Sequence, residues 1–86
     1  MALLSVGKLG FLVSTLGAAH FAAPEAFEEM TRTAFPENTA DWVKRNGATE
    51  VAVGAAMMLK PTRKLGVAAL LGHTGWLAYN AVSARG

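Results

Sequence analysis

From Ala2 to Ala23 the sequence carries only two ionisable side chains, Lys8 and His20, in an otherwise apolar run. As a helix rising about 1.5 Å per residue, this run is about 33 Å long, enough to cross a hydrocarbon layer of about 30 Å. Few folds accommodate such a segment. A helix that is apolar all round is buried in a large core or in lipid, and 86 residues do not make a large core. A cleaved signal peptide ending at the small residues Ala22 and Ala23 is the rival reading. It fits less well, because no basic residue precedes Lys8.

Composition agrees with the membrane reading. Hydrophobic residues make up 52% of the chain, and the mean hydropathy is +0.31. There is no cysteine, which removes disulfides, iron–sulfur clusters, thiol redox chemistry and covalent haem attachment. The net charge of +2 does not point to nucleic acid, because the basic residues punctuate apolar segments instead of forming one stripe with aromatics.

Residues 24–40 form an acidic loop. The whole polar stretch from Pro24 to Asn46 sets Glu25, Glu28, Glu29, Glu37 and Asp41 against Arg32, Lys44 and Arg45. Phe27, Met30 and Ala34 recur within it at helical spacing, which predicts a short amphipathic helix at an interface. Pro36 to Thr39 break that helix, and Asn38 or Thr39 can cap the next one near Ala40. Two further spans are read at about 41–59 and 62–83, joined by the basic turn 60–64 with Lys60, Arg63 and Lys64. Pro61 suits the first turn of the last helix. The expected fold is therefore all-α: a single membrane domain of about three transmembrane helices plus one interfacial helix. The basic turn puts the amino terminus and residues 60–64 on the cytoplasmic side, with the acidic loop outside.

Small residues mark the helix seams. Gly7, Gly10, Ser14 and Gly17 step by three and four along the first span, where membrane helices pack closely through small side chains. The second span offers Gly47, Glu50 and Gly54 on one face, and the third Gly66, His73 and Asn80 at heptad spacing. Ionisable groups in apolar spans are costly, which singles out Glu50, His73 and His20. Glu50 lies nine residues before Leu59 and His73 eight after Leu65. In an antiparallel hairpin both then fall about 12 to 14 Å from the turn, at one depth. They are read as a buried polar pair, with His20 and Asn80 as additional polar contacts.

The order of these features resembles the DoxX-like family of small bacterial membrane proteins. Gly17-Ala-Ala-His20-Phe21-Ala-Ala-Pro24-Glu-Ala-Phe27 is similar to the signature ending the family's first helix. Gly47-Ala-Thr-Glu50-Val-Ala-Val-Gly54 resembles the start of its second, Pro61-Thr62-Arg63 its basic turn, and Tyr79-Asn80 falls where the family often has Pro-Ala-Asn. The resemblance implies a bacterial inner membrane and, for some members, association with quinone-linked or oxidative-stress proteins. The family pattern has four membrane helices, one more than the spans read here, which implies either a naturally short branch or a partner that supplies the missing packing surface.

The chemistry open to such a chain is narrow. Ser5, Ser14 and Ser83 lack the context of an activated nucleophile, and no phosphate-binding glycine loop occurs. Two histidines and a carboxylate could ligate a divalent metal, or the histidines one haem, but no local ligand spacing supports either, so no metal is assigned. A proton or quinone contact through Glu50 and His73 is chemically reasonable. The leading expectation is an accessory or assembly subunit of a membrane complex, possibly respiratory or redox, with no catalysis and no bound cofactor of its own. Its partners would be lipid and other membrane subunits or further copies of itself. The alternatives are a quinone-contacting component of a membrane oxidoreductase, and a small transporter or proton-pathway oligomer.

Overall fold

The computed structural model describes residues 5–85 as four α-helices, with no strand among them. The first, α1, runs Val6–Ala22, and its start is fixed by the Ser5 hydroxyl, which accepts from the Lys8 amide at 3.1 Å. The expected beginning of this helix at residues 2–4 lies outside the described residues. Pro24 then turns the chain, and the short helix α2, Glu25–Ala34, leaves α1 at 105°. Its acids Glu25 and Glu28 sit in the first turn, where the helix dipole favours them. Arg32 closes an exposed i, i+4 ion pair with Glu28 at 3.2 Å.

Helix α3, Thr39–Met58, begins one residue before the expected Ala40. Asn38 holds the N-cap position, but with φ 56° it is in the left-handed region and its side chain makes no capping bond. Asparagine tolerates that conformation better than most residues, so its role is to turn the chain. The Thr39 hydroxyl donates to the Phe35 carbonyl at 2.7 Å, tying the new helix to the end of α2. A 3₁₀ turn at Lys60–Thr62, carrying Pro61, leads into α4, Arg63–Arg85. Arg63 closes the α3 end: its Nε donates to the Met57 carbonyl at 2.9 Å and Nη2 to that of Met58 at 3.1 Å.

Helices α1 and α3 run antiparallel in the most intimate contact of the fold. A Cβ on Gly10 would lie 2.6 Å from the Gly54 carbonyl, and Ser14 between them donates its hydroxyl to the Val51 carbonyl at 2.9 Å. Gly10, Ser14 and Gly17 of α1 thus meet Gly47 and Gly54 of α3 backbone to backbone. Gly7 lies one turn beyond this seam, beside the Arg63 guanidinium. Gly66 of α4 packs on Met57. Gly72 and Gly75 face open space.

The interior is small. Phe35, Val43, Val53 and Met57 are the buried hydrophobic side chains among the described residues, whereas Phe11, Leu12, Leu65, Leu71, Tyr79 and Val82 stay exposed. No single described helix is long and apolar enough to cross a membrane; α1 and α2 reach that measure together, as a bent pair. The reasons lie in the residues. Helix α3 is diluted by Asp41, Lys44, Arg45, Asn46 and Glu50, and α4 by its glycines, His73, Thr74 and Asn80.

Candidate functional site: a polar cluster beside an apolar cavity

Glu50 stands where three helices meet. Its Cβ lies against Gly17 of α1, in space that any side chain at Gly17 would take. Its carboxylate reaches α4, where Oε2 lies 3.8 Å from His73 Nε2, and the two side chains are 13% and 8% exposed. That separation exceeds a hydrogen bond. Glu50 Oε1 and His73 Nε2 are buried without a hydrogen-bond partner among the described residues. Two such orphan atoms side by side make a place where a proton can be held between carboxylate and imidazole after a small side-chain rotation.

His20 belongs to the same neighbourhood, within electrostatic reach of the Glu50 carboxylate. It is only 3% exposed, packed within the protein and not at its outer surface. Its Nδ1 lies 2.8 Å from the Leu16 carbonyl, so Nδ1 carries a proton and donates. Phe27 stacks on the ring at 3.8 Å between centroids and 18° between planes. This contact needs the sharp turn at Pro24, which folds α2 back over the end of α1.

Asn80 is not drawn into the cluster. Its Nδ2 donates to the Trp76 carbonyl of its own helix at 2.8 Å. Within the heptad face of α4, Gly66 meets α3 through Met57 and His73 through Glu50, while Asn80 serves α4 alone.

A cavity of about 350 Å³ opens beside the cluster, between α2 and α4. Its polar wall is His20, Thr31, Thr33, Asn46 and Glu50; its apolar wall includes Phe35, Leu77 and Ala81, with Met30 at the rim, 65% exposed. Asn46, 5% exposed, was not anticipated from the sequence. Its i, i+4 spacing to Glu50 is the signal that could have found it. Next to the cavity Phe35 stacks on Trp42 at 4.3 Å and meets Trp76 at 5.3 Å, and the Arg45 guanidinium sits 4.8 Å over the Trp42 ring.

Among the described residues no three His, Asp or Glu side chains are grouped to hold a metal ion. The Ser14 hydroxyl is spent on the Val51 carbonyl and that of Ser5 on the α1 cap, so neither is poised as a nucleophile. What the arrangement offers is a buried acid–imidazole pair and a mostly apolar recess with a few hydrogen-bonding groups.

No curated protein and no solved structure matches this chain. A family model covers residues 9–84, nearly all of the bundle from α1 to α4, and the chain belongs to that family, described as a domain of unknown function, DUF8561.

Proposed function

We propose that this chain is a small helical subunit that lives in a bacterial inner membrane and acts by association, as an accessory or assembly component without catalysis of its own. The observation that carries the reading is the imbalance, among the described residues, between four buried hydrophobic side chains and the large apolar residues left exposed on α1, α3 and α4. Exposed apolar area on this scale marks a surface covered by lipid or by other protein. The glycine-to-glycine contact of α1 with α3 supports it, because small residues are how helices associate where lipid removes the hydrophobic drive between them. The DoxX-like order of motifs supports the bacterial setting. Lengths of 20 and 23 residues give α3 and α4 about 30 and 35 Å, comparable by length to the hydrocarbon layer of a bilayer.

The test is direct. After alkaline carbonate washing of native membranes the chain should stay in the pellet, and cross-linking before solubilisation should give a discrete larger species. Release into the supernatant would end the membrane reading, and monomer alone under every cross-linking condition would end the association.

A further inference from the structure

Two side chains of the recess between α2 and α4 are short of partners. Thr31 and Asn46 are 7% and 5% exposed, and both line it. The hydroxyls of Thr15, Thr39, Thr49 and Thr62 are each spent on a helix carbonyl, whereas neither Thr31 nor Asn46 makes a side-chain hydrogen bond among the described residues. A buried polar group without a protein partner is costly unless something in the space beside it supplies the bond. The recess, about 350 Å³, has that space, since a water takes about 30 Å³ of liquid and needs about two to four polar partners. Thr33, exposed, continues the polar lining to the surface of α2, and Glu50 ends it at the side chain that faces His73.

From this arrangement we infer that the recess is a water-filled inlet through which the Glu50–His73 pair takes up and releases a proton, open toward α2 and closed toward the 60–64 turn. Glu50 is the link: it borders the recess, and its Oε2 lies 3.8 Å from His73 Nε2. On uptake, hydronium in the recess gives its proton to Glu50 Oε2 or His73 Nε2 and leaves water; on release the proton returns to that water, and no other bond changes. Toward the turn, the next buried residues of α3 are Val53, Gly54 and Met57, the last wholly enclosed and covered by Gly66 of α4, so apolar packing stops the water there. The ionisable groups around Glu50 are His20 on α1 and His73 on α4. Helix α2 lines the recess with none, and Arg45 of α3 is held over the Trp42 ring. The inlet goes beyond the associative role and would exist equally in a lone copy.

Cysteine accessibility tests the water, because a methanethiosulfonate reacts quickly only with an ionised thiol and the chain has no cysteine of its own. Thr31→Cys and Val53→Cys replace β-branched residues of nearly equal exposure, 7% and 8%, one beside the recess and one beyond Glu50. In the intact protein in mild detergent, aminoethyl methanethiosulfonate should modify Thr31→Cys faster than Val53→Cys by about tenfold or more, since apolar burial raises a thiol's pKa and withholds its thiolate. A plug then tests the proton. Treated with benzyl methanethiosulfonate, the already folded Thr31→Cys protein carries an apolar ring in the recess. Saturation transfer from water to the His73 ring N–H, assigned by comparison with His20→Gln, should then be lost from the nuclear magnetic resonance spectrum. Modification at positions 31 and 53 at equal rates would show a recess without water. Transfer that is absent before the plug or undiminished after it would show that the recess does not carry protons to the pair; each of these results overturns the proposal.

Discussion

A Cβ placed on Gly17 would lie 2.6 Å from the carbonyl oxygen of Gly47, and one placed on Gly47 would lie 2.8 Å from the carbonyl of Gly17. The two backbones are thus in mutual contact, and neither position has room for a methyl group without moving a helix. Gly17→Ala and Gly47→Ala should each destabilise the fold by about 1–3 kcal/mol, the usual cost of overpacking. Gly72→Ala and Gly75→Ala add a methyl where nothing lies within 4 Å, and should be neutral or stabilising by up to about 1 kcal/mol through helix propensity. Denaturation of the purified protein in mixed micelles separates the two groups. A loss at Gly72 or Gly75 as large as that at Gly17 would mean that α4 packs against something on its open face.

The basic turn does two jobs. Its charge orients the chain in the membrane reading, while Arg63, bonded to the Met57 and Met58 carbonyls, closes the end of α3 together with the Thr62 hydroxyl on the Ala56 carbonyl. Arg63→Ala should therefore lower stability by about 1–3 kcal/mol, the scale of bonds from a charged donor. Arg63→Lys should recover little of it, because an ammonium does not span two carbonyls as the planar fork does. Lys60→Ala and Lys64→Ala should be nearly silent in the same unfolding measurement.

The residues legible in sequence are those whose positions follow from counting along one helix or across one tight turn. Gly10, Ser14 and Gly17 share a face because a helix repeats every 3.6 residues. Glu50 and His73 share a depth because Lys60–Thr62 is short enough to fix the hairpin register. His20 was singled out for the cost of its charge, yet its burial under Phe27 depends on the 105° angle after Pro24, which no periodicity encodes. Asn46 and the cavity escaped notice for the same reason: the recess exists only once α2 lies against α3 and α4. From the sequence Arg63 reads as one of three basic residues in the 60–64 turn, because its partners are backbone carbonyls, which sequence does not distinguish.

Lys8, Lys60, Arg63 and Lys64 gather where α1 starts and α3 ends, while Glu25, Glu28, Glu29, Glu37 and Asp41 lie toward the other end together with Arg32, Lys44, Arg45 and Arg85. On the proposed membrane reading, the tight basic turn and the net acidic loop would put the first end in the cytoplasm. With no native cysteine, single substitutions report cleanly. Glu37→Cys and Lys60→Cys suit the purpose, since both residues are exposed, whereas Asn38 is held left-handed and Thr62 is bonded to the Ala56 carbonyl. In intact spheroplasts an impermeant thiol reagent should modify the cysteine at position 37 and spare that at 60. The reverse pattern would invert the orientation.

Glu50 and His73 bring α3 and α4 together through two polar groups that have no other partner among the described residues. Each spares the other the cost of standing alone in apolar surroundings, so the pair is worth more as a unit than either member is singly. Removing one leaves its neighbour uncompensated. Glu50→Ala and His73→Ala should each be strongly destabilising, and the double substitution should cost less than their sum, with a coupling of about 0.5–3 kcal/mol. Glu50→Gln should fall between wild type and Glu50→Ala, since an amide keeps the shape and a hydrogen-bonding atom near the imidazole but gives up the charge. Unfolding of the four variants in micelles gives the cycle. Strict additivity would show that the two side chains act independently at 3.8 Å, and would remove the pair from any proton-holding role.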